Sequence, residues 1–252
     1  MTQPLLPVLL KGGTVVTVDK DDRVFTGDVL LEGGRIKALG PDVKGTPGTR
    51  VVDARGCIVC PGFVQAHIHL CQVLFRGFAE ERALLPWLKE RIWPLEAAHS
   101  ASTLLASARL GIAELLLGGT TAALDMGTVH HQESIFAAAA ELGLRLTSGK
   151  ALMDKPGASP LDEDSAAALA SSNALADRFH KSGTDRLRYA YAPRFILSCS
   201  DDLLKRTVRE ARERGCLIHT HASENPGEVE AVRAVTGKDN VVALHERGVS
   251  GD

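Results

Sequence analysis

The chain has 252 residues, 44% of them hydrophobic and 24% charged, with a formal net charge of −2. That length suits one barrel-sized domain or two smaller ones, and that charge balance excludes an electrostatic pull toward nucleic acid or an anionic membrane. No apolar run approaches the roughly 18 residues of a spanning helix. Residues 1–7 have no basic region before their apolar ones, so they do not read as a secretory signal. Five cysteines at scattered spacing do not make a disulfide framework. The expected location is the cytoplasm.

Residues 9–60 read as β-structure. Residues 14–18 are a β-branched run, followed by the turn Asp19-Lys20-Asp21-Asp22. Residues 28–39 read as a hairpin through Gly33-Gly34. Glycine and proline breakers make 41–49 a loop. Residues 50–60 return to strand. Cys57 and Cys60 form a CxxC pair there, but no second pair completes a structural zinc site. They are expected to be buried thiols acting as small hydrophobes. Residues 1–60 thus form a small β-module with no acid/base constellation of its own.

From Pro61 the rhythm changes. Strand-like runs at 63–70, 120–126, 144–152, 187–193 and 217–223 alternate with helical runs at 102–117, 133–142, 163–181, 201–214 and 227–235. Gly118-Gly119 ends the first long helix. Ser200 supplies an N-cap for the fourth and Gly215 a stop. This alternation predicts a parallel sheet with helical crossovers. Polar residues gather at the strand C-terminal ends, where active sites of β/α barrels sit. The predicted fold is α/β. An incomplete (β/α)8 TIM-type barrel of about five strands occupies 61–252, and the N-terminal part of a small β-sandwich module precedes it. A closed barrel needs eight strands, so the chain is either an open sheet or the first part of a longer barrel.

The run Pro61-Gly62-Phe63-Val64-Gln65-Ala66-His67-Ile68-His69-Leu70 carries the first chemical signal. Residues i and i+2 of a strand share a face, so His67 and His69 aim two imidazoles at one point. They read either as a metal-ligand pair or as two polar residues on a half-exposed strand. His219-Thr220-His221-Ala222-Ser223-Glu224 supplies the second signal. Alternation places His219, His221 and Ser223 on one face, with Glu224 at the strand end. A third imidazole from here would complete a three-nitrogen site for a divalent metal. Glu224 would then move a proton from water to a substrate nitrogen, or cap the helix that follows. The neighbouring histidines weigh toward catalysis.

Taken with the stretches ALLPWLKERIWPLE and YAPRFILSCS, these motifs resemble the amidohydrolase superfamily. More closely, they are similar to its metal-dependent aminohydrolases acting on purines and their nucleosides. That branch holds 5'-methylthioadenosine/S-adenosylhomocysteine, 5'-deoxyadenosine and guanine deaminases, with triazine chlorohydrolases as relatives. The resemblance implies His67, His69 and His221 as metal ligands and Glu224 as proton shuttle. One divalent metal is expected, zinc first and iron as the alternative. The implied reaction is attack of metal-bound hydroxide on a ring carbon bearing an amino group, releasing ammonia from a cyclic amidine. Lys150 reads as a substrate-side or structural residue.

By the same resemblance Trp87 packs on the substrate and Glu96 accepts from ribose hydroxyls. The alternative for that stretch is an amphipathic helix with its tryptophans in the core. Arg194 is expected to bind substrate, its fork donating to a ring nitrogen or carbonyl; it departs from the histidine of the methylthioadenosine-type enzymes and resembles the guanine and 5'-deoxyadenosine types, and otherwise it is a surface arginine. His130 and His131 are expected on the surface, His99 and His180 on helix faces, Asp125 in a structural role, and His245 outside the site.

The family's further strand-end histidine and metal-binding aspartate have no match here. The chain therefore resembles the first part of a longer protein and is expected to be catalytically weak alone. The leading function is deamination of an adenine-type nucleoside. Guanine-type deamination and triazine dechlorination are the alternatives within the class. An inactive chain acting as a binding or assembly partner is the alternative outside it. A small heterocycle is the expected partner, with homo-oligomers allowed.

Overall fold

A computed structural model describes residues 6–78, 81–157 and 159–250. Residues 1–5, part of the stretch judged not to be a leader, lie outside the described residues. The chain divides into two compact units, Met1–Gly62 and Phe63–Asp252.

The first unit is a β-sheet of β1 (Val8–Val16), β2 (Val24–Glu32), β3 (Arg35–Gly40), β4 (Arg50–Asp53) and β5 (Ile58–Val59). Its order is β3-β2-β1-β4, with β5 also on β1. The β2–β3 hairpin turns at Gly33 and Gly34, whose φ of 58° and 74° suits the two-residue turn that matches strand twist. Buried Asp28 ties the sheet to its loops by accepting from the amides of Gly12 at 2.8 Å and Val43 at 3.1 Å. The strand expected over 50–60 is broken. A turn after Asp53, closed by the Cys57 amide donating to the Ala54 carbonyl at 2.9 Å, separates β4 from β5. Cys57 and Cys60 are exposed, contrary to the expected burial. Among the described residues the two-residue β5 pairs only with β1, and Ile58 beside them is 72% exposed.

The second unit holds β6 (Phe63–Ile68), β7 (Thr120–Met126), β8 (Arg145–Gly149), β9 (Ala151–Leu152), β10 (Leu187–Pro193) and β11 (Leu217–Ile218). Its helices are α1 (Leu84–Trp87), α2 (Trp93–Ala97), α3 (Ala101–Leu117), α4 (Glu133–Leu142), α5 (Ser165–Phe179), α6 (Ser182–Asp185), α7 (Asp201–Arg214), α8 (Pro226–Thr236) and α9 (Asn240–Glu246). A π-helical turn, Leu88–Ile92, joins α1 to α2. The strand order is β11-β10-β8-β7-β6, with β9 on β10 and every pairing parallel. Major strands follow one another in space as in sequence, without the reversal of a doubly wound sheet. That is a partial β/α barrel, as the sequence predicts. Among the described residues no strand pairs with the outer edge of β6 or of β11.

Sequence chemistry explains the element ends. Ser100 accepts from the Thr103 amide and starts α3 with a capping box. The Ser200 hydroxyl accepts from the Leu203 amide at 3.1 Å and starts α7, which stops at Gly215 in the left-handed region. The run expected at 144–152 splits at Lys150, whose amide leaves the ladder to donate to the Tyr189 hydroxyl at 3.2 Å. Close approach of β8 to β10 demands glycine before that break, since a Cβ on Gly149 would lie 1.7 Å from the Ala190 carbonyl oxygen. The main core is fully buried: Leu104, Ala108 and Ile112 of α3, Ile135 and Phe136 of α4, Leu203 and Leu204 of α7, and Tyr189 and Tyr191 of β10. No single helix among the described residues is long and apolar enough to cross a membrane.

Candidate metal centre

The end of β6 is fastened to β7. The Leu70 amide donates to Asp125 Oδ1 at 2.7 Å, and the Ser107 hydroxyl donates to the Leu70 carbonyl at 2.8 Å. Leu70 and Cys71 are fully buried, so the chain turns inward directly after His69. His69 Nδ1 donates to the Met126 carbonyl at 2.9 Å. A carbonyl only accepts, so the ring proton sits on Nδ1 and Nε2 keeps its lone pair. His221 is fixed in the same way, its Nδ1 donating to the Arg194 carbonyl at 3.0 Å. The strand expected over 217–223 ends at Ile218, and backbone bonds from His219 to Tyr191 and from His221 to Arg194 carry the chain past the end of β10.

His67, His69 and His221 offer donor atoms that all lie within 4.8 Å of one another. His69 Nε2 and His221 Nε2 are 3.1 Å apart. With both protons on Nδ1, two lone pairs face each other and need a shared cation between them. Protons are poorly suited to that place. Burial pushes His221 down to about 4 and His69 well below its ordinary value, with the Arg194 charge acting in the same direction on both. Neutral imidazole nitrogens on these three residues fit a divalent metal of borderline softness.

A cavity of about 120 Å³ opens on this cluster, walled by His67, His69, His221, Trp87, Arg194, Phe195, Leu84, Leu88, Gln72 and Glu224. Trp87 is half-buried on that wall, whereas Trp93 is buried in the core with Leu88, Ile92 and Phe195. The two tryptophans of this stretch thus part, Trp87 on the cavity wall and Trp93 in the core. Glu224 lines the same cavity. Burial is the main cause raising its carboxyl, the Glu228 charge adds to it, and Arg194 opposes both.

Arg194 is buried rather than on the surface, with 2% of its area exposed. Its guanidinium forks onto Glu96, donating at 2.8 Å to Oε2 and at 2.9 Å to Oε1. Gln72 Nε2 at 2.9 Å and the Thr128 hydroxyl at 3.3 Å also donate to Glu96. Ribose hydroxyls, the partners implied for Glu96, would have to displace one of these donors. Both of its oxygens are engaged, and the cavity wall does not include it. A buried guanidinium requires a counter-charge, and Glu96 supplies it.

Behind the ligands, Asp125 Oδ2 accepts from the Ser148 hydroxyl at 2.5 Å, and Gln132 donates to that hydroxyl at 2.8 Å. Burial pushes Asp125 up to about 6. A raised carboxyl favours the fold at low pH and loses that contribution as pH rises through about 6. Asp125→Asn is therefore expected to flatten the stability profile between about pH 4 and 7, by about 3 kcal/mol across that window. Urea unfolding at several pH values measures this, and parallel wild-type and variant profiles would contradict it.

Lys150 is buried and donates at 2.5 Å to both the Val129 carbonyl and Glu163, away from the cavity. His130, His131 and His245 are exposed, as expected. His99 and His180 are not helix-face residues. His99 follows α2 and contacts the Cys71 carbonyl at 2.8 Å, and His180 ends α5 and accepts from the Tyr189 amide at 3.2 Å. His219, given no role from sequence, contacts His67, its Nε2 lying 2.9 Å from His67 Nδ1. Its i+2 spacing from His221 was the available signal.

The sequence pattern of the amidohydrolase family matches residues 58–251. The chain belongs to the amidohydrolase family. This amidohydrolase is 36% identical, over 227 residues, to a 5-methylthioadenosine/S-adenosylhomocysteine deaminase of Halobacterium salinarum; the match covers 88% of this chain and 49% of that protein. It is 34% identical to a 5'-deoxyadenosine deaminase of Methanothermobacter thermautotrophicus, covering 89% of this chain and 51% of that one. Among solved structures it is similar to E. coli guanine deaminase, with a TM-score of 0.85 and 29% identity, covering 98% of this chain and 61% of that one. The amidohydrolase chain thus spans about half the length of the curated relatives it matches.

Proposed function

We propose that this amidohydrolase serves the hydrolytic deamination of a neutral purine-type heterocycle, an adenine nucleoside first, at a site holding one divalent metal. The observation that carries the reading is the pair of Nε2 lone pairs, on His69 and His221, facing each other at 3.1 Å on a cavity shared with Glu224. Zinc is the metal we propose, with iron as the alternative, held by His67, His69 and His221. A metal there supplies Lewis acidity that brings the pKa of water down to about 7.

The remaining work falls to side chains. Trp87, Leu84, Leu88 and Phe195 give the heterocycle an apolar slot that sheds water. Glu224 takes a proton from the attacking water as its oxygen bonds to the ring carbon. It returns that proton to the exocyclic nitrogen as the C–N bond breaks, and ammonia leaves. Arg194, its charge balanced by Glu96, suits a neutral ring nitrogen or carbonyl better than an anion. The names of the relatives from Halobacterium and Methanothermobacter support adenine nucleosides. Guanine is the second reading, favoured because Glu96 has no oxygen free for ribose.

Ammonia release decides between them. The substrates are 5'-deoxyadenosine, 5'-methylthioadenosine, S-adenosylhomocysteine and guanine, with chloride release from a chlorotriazine alongside. Weak turnover of an adenosine derivative is expected, lost on chelation and restored by zinc. Turnover of guanine alone moves the assignment to the second reading. A metal-loaded protein that releases nothing from any of them sinks both and leaves a binding role.

A further inference from the structure

We propose that His219 is a positioning residue for the metal centre: its Nε2 accepts the Nδ1 proton of His67 and leaves His67 Nε2 as the ligand nitrogen. This inference rests on the metal reading above and asks what sets the tautomer of the third imidazole. The other two are set by the backbone. The Met126 carbonyl takes the Nδ1 proton of His69 and the Arg194 carbonyl that of His221. His67 lies at the exposed end of an edge strand, and its ring nitrogen Nδ1 meets another imidazole, His219 Nε2 at 2.9 Å.

Two imidazoles share one hydrogen bond in only two ways. If His219 Nε2 carries the proton, His67 Nδ1 is the acceptor and its own proton sits on Nε2. That ring then has no lone pair left for a metal. If His67 Nδ1 carries the proton, Nε2 is bare and joins the bare nitrogens of His69 and His221. Metal binding therefore selects the second arrangement. Conversely, a neighbour that accepts at His67 Nδ1 raises metal affinity by removing the competing tautomer.

His219 is built to hold that position. Only 8% of it is exposed, and its ring stands at 84° to that of His67, with centroids 5.1 Å apart. In the selected arrangement its own proton sits on Nδ1, a buried atom with no hydrogen-bond partner among the described residues, a cost that the metal–nitrogen bond must outweigh. Met126 at the end of β7 thus sets His69 directly, and His219 sets His67.

The test is metal affinity, measured on the purified protein by zinc competition against a chromophoric chelator. His219→Ala is expected to bind zinc about 10–100-fold more weakly. His219→Gln is expected to recover most of that loss, because its amide oxygen can accept the same proton. Cobalt(II) replaces zinc for a second readout. At saturation, wild type and both variants are expected to share one visible spectrum, since the ligand set is unchanged.

Wild-type zinc affinity in His219→Ala would overturn the proposal. So would a cobalt spectrum showing one nitrogen fewer in that variant, which would make His219 a ligand. If His219→Ala lacks the wild-type circular dichroism, His219→Met fills the space without a strong acceptor and is compared with His219→Gln. His69→Ala serves as the control. If that variant leaves zinc affinity unchanged, the metal reading itself fails, which is distinct from a failure confined to His219.

Discussion

Glu224→Gln is expected to lower kcat for ammonia release by about 10³-fold while leaving zinc content and zinc affinity unchanged. Glutamine keeps the size and the hydrogen-bonding edge of the side chain but cannot carry a proton between water and the leaving nitrogen. Glu224 is not among the clustered histidine nitrogens, so a metal should be held as before. The pH profile sharpens the expectation. Burial and Glu228 raise the Glu224 carboxyl above 4.5. The proton-accepting form therefore fills in later than for an ordinary glutamate, and the rate should climb with pH through that raised value. The residual activity of Glu224→Gln should lack this limb. Near-wild-type turnover in the glutamine variant, or an unchanged acid limb, would remove Glu224 from the reaction and leave it as a residue preceding α8.

The sequence made the framework readable where periodicity and punctuation agree. β7 and β10 fall at the predicted residues, as do α4 and α7, because each combines an apolar run with a clear stop. Three places resisted for physical reasons. Residues 50–60 read as one strand, but the turn after Asp53 is set by local backbone bonding that apolar alternation does not register. Lys150 interrupts a run that reads as continuous, because a tertiary partner, the Tyr189 hydroxyl, takes its amide. The motif at 219–224 reads as strand, yet it bonds to β10 beyond the last ladder pair.

The site divides along the same line. His67 and His69 declare themselves through a two-residue spacing, and His221 and Glu224 through theirs. The chain brings all four onto one cavity. What spacing cannot show is who neutralises whom. Glu96 and Arg194 are 98 residues apart and meet in a buried fork. That contact changes the meaning of both residues. A carboxylate expected to face a ribose becomes the counter-charge of an arginine. An arginine whose alternative was a place on the surface becomes part of a buried, charge-balanced pair. His219 is the parallel case within the ligand set, since its partner His67 is 152 residues away.

The Arg194–Glu96 fork supports the second large prediction. Arg194→Met should cost about 3–5 kcal/mol of stability, because it leaves a carboxylate buried with only Gln72 and Thr128 as donors. Glu96→Leu should cost a similar amount by stranding the guanidinium. The double variant should cost less than the sum of the two, since neither charge is then left unpaired and apolar groups fill similar space. Urea unfolding of wild type, both single variants and the double variant gives this coupling directly. The same four proteins separate structure from recognition. If Glu96 acts by holding the fork in place, Glu96→Leu should raise KM much as Arg194→Met does, although Glu96 itself is not on the cavity wall. Strictly additive stabilities would show that the pair is not coupled. A wild-type KM in a folded Glu96→Leu protein would show that Arg194 needs no help to meet its substrate. A KM rise larger than that of Arg194→Met would return Glu96 to direct contact with the substrate.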